Sequence, residues 1–379
     1  MDVPHPSRLP SRLAVALVGL ALATAACGGA AASDDTGNAA SSASGSASGS
    51  ASAPAPAGAS HEGPEHEGAE PEAVSVDHAM GTTEVACDPE VVVTLGQGQT
   101  DSTLGLGITP TGVVQPWTDD WYDYLPQEVE QATVVGTELE PDLEAIVALQ
   151  PDLILGSKLR HEAFYEQLSA IAPTVFSESI GVAWKDNVSL WAQALCRVQE
   201  GEEVVAAYEQ RAADLQQALG EEAGTQVSMV RFMPDQVRIY LTGFPGSVIR
   251  DAGLERPPAQ QVEDWEASPQ LIEISEERIP EMDGDVIFVM VSDQAYAQAS
   301  GHDLDETMQR WTSTDLWQGL PAVEAGNVQQ VNESHWNLGG GILAANAMLA
   351  DLEEYFVEAS EGSPAPSDAQ GSSPAQPSS

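Results

Sequence analysis

Five of the 13 basic residues in this 379-residue chain fall in two short groups: Lys158, Arg160 and Lys185, then Arg231 and Arg238. They stand against 59 acidic side chains and a formal net charge of −46. A guanidinium carries its donors in a planar fork that matches carboxylate and similar oxyanions, and such charge-assisted bonds are the stronger kind. Each group follows or joins predicted strands, which reads as an anion-binding cleft between two lobes. The competing reading is surface pairing with the surplus carboxylates, as Arg160 could do with Glu162 or Glu166.

A second pattern involves carboxylates. Glu144-x-Ile146-x5-Asp152-Leu153-Ile154 recurs as Glu277-x-Ile279-x5-Asp285-Val286-Ile287, 133 positions later. Each copy predicts a short helix with an exposed Glu, a turn and a buried strand (153–156; 286–291). A repeated helix-turn-strand unit implies two lobes of similar build. One carboxylate at a matching place on each lobe suits docking onto a two-fold partner.

Other chemistry is poorly supported. Among 59 acidic residues any carboxylate pair is easy to find, and no Ser-His-Asp or Cys-His arrangement stands out, so an enzyme is disfavoured. No His/Cys/carboxylate set has metal-ligand spacing; a bare metal ion would have only His161 and His335 to call on. His61, His66 and His78 lie among Glu residues in what reads as a solvated linker. Gly96-x-Gly98 follows a strand, but position 101 is Asp where a dinucleotide fingerprint wants its third Gly. The strongly acidic field repels nucleic acid.

The elements that must position these residues follow from the hydrophobic pattern. Strands are predicted at 91–95, 112–114, 133–135, 153–156 and 174–176, with helices near 102–106, 143–149 and 161–170. This alternation implies a mostly parallel sheet covered on both faces. Residues 201–222 read as one long helix, from Val204, Val205, Tyr208, Ala212, Leu215 and Leu219 at helical spacing. A single rigid connector permits only limited lobe closure. In the second half, 226–232 and 237–241 form a hairpin across Pro234-Asp235. Strands at 285–291 and 328–331 follow, with a closing helix at 341–356 after Gly339-Gly340-Gly341.

The ends read differently. Arg8 and Arg12 precede an apolar stretch, 13–23, that is too short to span a bilayer at ~20 residues. Thr24-Ala25-Ala26-Cys27 then resembles a bacterial lipobox, so 1–26 is expected to be a lipoprotein signal peptide and Cys27 the lipidated residue. Residues 27–83 are expected to be a low-complexity tether, 84–200 a first α/β lobe, 201–222 the connecting helix, 223–359 a second α/β lobe and 360–379 a tail. In an exported domain Cys87 and Cys196 are compatible with one disulfide.

Several motifs in order carry a family resemblance. Gly156-Ser-Lys-Leu-Arg-His-Glu162 is followed by Gln167-Leu-Ser-Ala-Ile-Ala-Pro-Thr-Val-Phe-Ser-Glu178. Val227-Ser-Met-Val-Arg-Phe232 comes with Val237-Arg-Ile-Tyr240. Met282-Asp-Gly-Asp-Val-Ile-Phe288 and His335-Trp-Asn-Leu-Gly-Gly-Gly-Ile-Leu-Ala-Ala-Asn346 complete the set. Over about residues 88–357 the chain resembles the iron-siderophore substrate-binding lipoproteins of bacterial ABC importers.

The resemblance implies two Rossmann-like lobes, one connecting helix and an interlobe ligand cleft. It implies binding rather than catalysis, with an iron(III)-siderophore as ligand, of hydroxamate or mixed citrate-hydroxamate type, and no cofactor. Arg160, Arg231 and Arg238 become the expected ligand contacts, then Trp184 and Tyr240, with Trp336 and Asn337 after them. Glu144 and Glu277 match the family's docking carboxylates for an ABC permease dimer with its ATPase. The protein would be a monomer held on the membrane by its lipid. Two departures stand out: Pro245 in the expected loop after Tyr240, and Val-Met-Val-Ser after Phe288. Haem, cobalamin or a metal ion on the same scaffold, and a surface interaction protein on a stalk, are the rival readings.

Overall fold

The apolar runs fold into two five-stranded sheets in the computed structural model, which describes residues 73–265, 268–292 and 303–358. The first sheet is wholly parallel. It has the order β5-β4-β3-β6-β7, from β3 (Val92–Thr94), β4 (Gly112–Val113), β5 (Thr133–Val134), β6 (Leu153–Ser157) and β7 (Thr174–Ser177). Strands β3, β4, β6 and β7 are buried throughout, as a sheet covered on both faces requires, while the edge strand β5 is exposed. Leu153 and Leu155 enter one core cluster and Ile154 the other, because successive side chains point to opposite faces. Among the helices that cover the sheet are α1 (Gln97–Gly105), α2 (Leu143–Leu149), α3 (Lys158–His161), α4 (Tyr165–Ser169) and α5 (Trp184–Ala194). The helix expected at 161–170 is interrupted by a 3-10 turn, Glu162–Phe164, between α3 and α4.

The folded chain begins earlier than the sequence suggests. Residues 73–83 were expected in the tether, yet β1 (Ala73–His78) and β2 (Gly81–Ala86) form an antiparallel hairpin. Val76 and Val85 are fully buried with Val92, Leu153, Leu155 and Trp191, so the hairpin is part of the first lobe. His78 is a structural residue there. Its Nε2 is 2.9 Å from Thr83 Oγ1 and its Nδ1 accepts the Phe176 N–H at 3.2 Å. Cys87, just past the hairpin, is bonded to Cys196 with a Cα–Cα distance of 5.4 Å. The signal segment, Cys27, His61, His66 and the 360–379 tail lie outside the described residues.

The connector is α6 (Val198–Leu219), roughly 33 Å long at 1.5 Å per residue. Its last predicted turn is a 3-10 turn, Gly220–Glu222, in which Gly220 has φ +52°. Tyr208, Ala212, Leu215 and Leu219 bury one stripe against the second lobe's core.

The second sheet is mixed, with order β10-β9-β8-β11-β12: β8 (Val227–Phe232), β9 (Val237–Tyr240), β10 (Leu271–Ile274), β11 (Val286–Val291) and β12 (Val328–Gln330). The hairpin pairs β8 and β9 antiparallel, while β8, β11 and β12 run parallel. Between β9 and β10 lies α7 (Gly243–Asp251), where a loop stiffened by Pro245 was expected. Pro245 sits in the helix's first turn, where a missing N–H costs nothing. Before β12 come α8 (Leu304–Thr312), α9 (Asp315–Gln318) and α10 (Pro321–Ala325). The closing helix α11 (Ile342–Glu353) packs against α1, α5 and α6 as well as α7.

The opening repeat has a backbone counterpart. Asp152 and Leu153 donate their N–H groups to Val91 O at 2.8 and 3.4 Å; Asp285 and Val286 donate to Gln226 O at 2.8 and 3.3 Å. The aspartates answer in kind. Asp152 Oδ2 accepts from the Glu90 and Val91 amides, and Asp285 Oδ2 from the Gln226 amide. Each sheet therefore locks its central strand, β3 or β8, to the neighbouring strand, β6 or β11, by the same device.

Candidate functional site

A cavity of about 380 Å³ opens between the two lobes. The N-terminus of α1 supplies Gln97 and Gly98, α3 supplies Arg160, and the β8–β9 hairpin supplies Arg231, Arg238 and Tyr240. Gly98 is needed for a close approach: a Cβ there would lie 2.9 Å from Gly340 O. Gly98, the second of the two glycines after the strand, thus lies at the cleft edge.

The hairpin register places Arg231 directly opposite Arg238. Like charges at such a pair are destabilising unless compensated. Arg231 forms an ion pair with the buried Glu333, and Arg238 pairs with Glu273 on β10 at 3.2 Å. Tyr240, two residues from Arg238, faces the same cavity. Asn337 also lines it, beside Glu333.

On the first lobe, Arg160 does not pair with Glu162 or Glu166. Its Nε lies 3.3 Å from Glu138 Oε1. The other Glu138 oxygen accepts the Trp117 indole N–H at 3.1 Å. Glu138 is only 8% exposed, while Trp117 is 40% exposed and lines the cavity. Burial pushes the Glu138 carboxyl up from its ordinary value; Arg160, the Trp117 indole and the Gln97 amide pull it partly back. Sequence reading missed Glu138, Glu333 and Trp117. The carboxylates were hidden among 59 acidic residues, and no spacing singles out Trp117.

Four expected site residues lie elsewhere. Lys158 forms a surface ion pair with Glu178 at 2.8 Å. Lys185 bridges Asp251 at 2.8 Å and Glu209 at 3.5 Å, with its ammonium 5.2 Å from the Tyr208 ring. Trp184 is fully buried between Tyr208 and Phe244, donating to Ser247 Oγ at 2.9 Å. Trp336 is fully buried against Phe288, donating to Asp351 Oδ2 at 2.7 Å. Both indoles serve the core, and of the two cation groups only Arg160, Arg231 and Arg238 reach the cavity.

The two histidines considered for a metal are committed to other partners. His161 Nδ1 accepts the Ser157 N–H at 3.0 Å, and its Nε2 is 2.9 Å from Glu138 O. Burial lowers its pKa, which keeps the ring neutral. His335 Nε2 is 2.7 Å from Asp351 Oδ2. Among the described residues no group of three or more His, Cys, Asp or Glu is placed to hold a metal ion. Glu144 and Glu277 are both exposed, on α2 and on the 3-10 turn Glu276–Met282, above the buried Ile146 and Ile279.

Residues 92–333 match the family model for periplasmic binding proteins. The chain is 41% identical over 290 residues to the probable siderophore-binding lipoprotein YfiY of Bacillus subtilis, covering 75% of this chain and 88% of that one. It is 34% identical over 270 residues to the achromobactin-binding periplasmic protein of Dickeya dadantii, covering 70% and 85%. The crystal structure of Staphylococcus aureus SirA complexed with staphyloferrin B superposes with a TM-score of 0.69 at 36% identity, covering 74% of this chain and 97% of that one.

Proposed function

The chain belongs to the periplasmic binding protein family, and from that premise we propose that it captures a ferric siderophore outside the cytoplasm and delivers it to an ABC importer. The observation that carries this reading is the convergence of three guanidinium groups from both lobes, Arg160, Arg231 and Arg238, on one interlobe cavity. The chelator satisfies the iron, and the protein reads the chelator's peripheral oxygens. Carboxylate or hydroxamate oxygens, including those of a mixed citrate-hydroxamate, are acceptors for guanidinium forks. Tyr240 and Asn337 complete the polar wall. The protein binds its cargo and does not transform it. The relatives named for achromobactin and staphyloferrin B support a siderophore over haem, cobalamin or a bare ion.

The remaining parts of the reading concern attachment and delivery. Residues 1–26 direct export and Cys27 carries the lipid. No helix among the described residues is long and apolar enough to cross a membrane. The lobes are 73–197 and 223–359, joined by α6, in a monomer. Glu144 and Glu277 meet basic residues on the two subunits of the permease dimer, whose ATPase drives uptake.

The test is a tryptophan-fluorescence titration of the chain from Gly28 onward. The panel holds a ferric trihydroxamate, a ferric citrate-hydroxamate, a ferric catecholate, haem, cobalamin and free metal ions. One ferric siderophore class should quench saturably. Arg231→Ala should weaken it about 10- to 100-fold, the equivalent of ~1.5–3 kcal/mol for a charged hydrogen bond. Saturation by haem, cobalamin or bare metal alone would overturn the assignment.

A further inference from the structure

We propose that Glu138 is a positioning residue for ligand recognition, a single buried carboxylate that fixes both the Arg160 fork and the Trp117 ring on the first-lobe wall. The inference rests on the siderophore-binding reading of the cleft. It begins in the backbone. Gly136 has φ +96°, and a Cβ there would meet Glu140 O at 2.5 Å and Asp142 N at 2.6 Å, so the turn into α2 is tight. Thr137 N donates to Glu140 O at 3.1 Å and Gln115 N to Gly136 O at 2.9 Å. His161 then holds the Glu138 carbonyl. Because its Nδ1 accepts from Ser157 N–H, the ring proton sits on Nε2 and is donated to Glu138 O.

The side chain completes the unit. One Glu138 oxygen faces Arg160 Nε and the other accepts the Trp117 indole. This division decides what the ligand meets. With its Nε engaged by Glu138, Arg160 keeps its two terminal nitrogens for a carboxylate in bidentate geometry. Trp117 has its N–H satisfied and presents a ring, 40% exposed, to the cavity. The matching ligand arm is a carboxylate beside a flat or methylene segment. A buried ion pair is weak evidence of a stabilising role, since replacing both partners by apolar groups is often neutral or stabilising. Its place on the cleft wall, with both oxygens used to aim cavity-lining side chains, accounts for its presence.

Two readouts decide the matter. Without ligand, the Trp117 indole N–H resonance, identified by its loss in Trp117→Phe, should move upfield in Glu138→Gln. With ferric citrate and ferric staphyloferrin B as probes, Glu138→Gln should bind about tenfold or more weakly than wild type, and in an Arg160→Ala/Trp117→Phe background it should add less than about twofold, because coupled residues are non-additive. An unmoved indole resonance, wild-type affinity in Glu138→Gln, or an undiminished loss in that double background would each overturn the proposal. Failure of the wild type to bind either ferric probe would count against the siderophore reading instead. The ligand-free resonance would still decide whether Glu138 holds the ring.

Discussion

Asp101 carries no legible role in the sequence and gains one in the structure. Its side chain removes the third glycine of a dinucleotide motif. In the fold it is fully buried and accepts the Leu343 and Ala344 amides at 2.8 and 2.9 Å, capping α11 from 242 residues away. Gly341 must be glycine, because a Cβ would lie 2.3 Å from Asp101 Oδ1. Burial raises the Asp101 pKa to about 7 despite the two amide bonds that oppose the shift. A folded pKa above the unfolded value of ~3.9 means that the folded state binds the proton more tightly. The resulting stability is fully present below pH ~4 and is lost as pH rises through the folded value. Wild type should therefore lose melting temperature relative to Asp101→Asn as pH rises from ~4 to ~8. Parallel curves for the two proteins would refute this.

At the scale of elements, the two helix-turn-strand units explain why one spacing recurs. Ile146 and Ile279 seat each unit, Asp152 and Asp285 tie it to the central strand of its sheet, and each glutamate stays exposed. The buried residues and aspartates satisfy the fold; Glu144 and Glu277 are exposed, although the Glu277 carboxylate is also held locally by its own amide and the Ser275 hydroxyl. Reversing both to Arg should abolish iron uptake in cells and leave siderophore affinity unchanged, and normal uptake by the double variant would remove the docking role. Strands with strong apolar runs, such as β6, β8 and β11, were readable from sequence. The β1–β2 hairpin was not, because its short alternating segments sit against acidic, glycine-rich chain. β10 and α7 were missed because Leu271–Ile274 is a half-exposed segment and Gly243–Pro245 looks like a turn.

For the whole molecule the dominant quantity is the charge of −46. Three guanidinium groups sit in a cleft whose surroundings repel anions. A net-anionic probe such as ferric citrate must cross that field, which salt screens with a Debye length of ~8 Å at 0.15 M. Its association rate should therefore rise several-fold between ~10 mM and ~150 mM NaCl, opposite to ordinary electrostatic steering. Stopped-flow mixing at several salt concentrations reads this directly, and a falling rate would show that the cleft's local positive potential prevails. Beside the single connector α6, Lys185 is shared between Asp251 and Glu209.

The sequence by itself determined the two-lobed α/β build, the connecting helix, the repeated glutamate spacing and the five clustered cations from which the cleft draws three. Each of these rests on local patterns: apolar periodicity, a repeated spacing, and the rarity of cations in an acidic chain. Tertiary structure alone decided which side chains share the cleft. Trp184 and Trp336 belong to the core and Trp117 to the wall, because an aromatic's role depends on which face of its element meets the other lobe. Glu138 and Glu333 became visible only when folding brought them to Arg160 and Arg231 from 22 and 102 positions away in the chain. No local pattern encodes a contact between residues that meet only once the chain has folded.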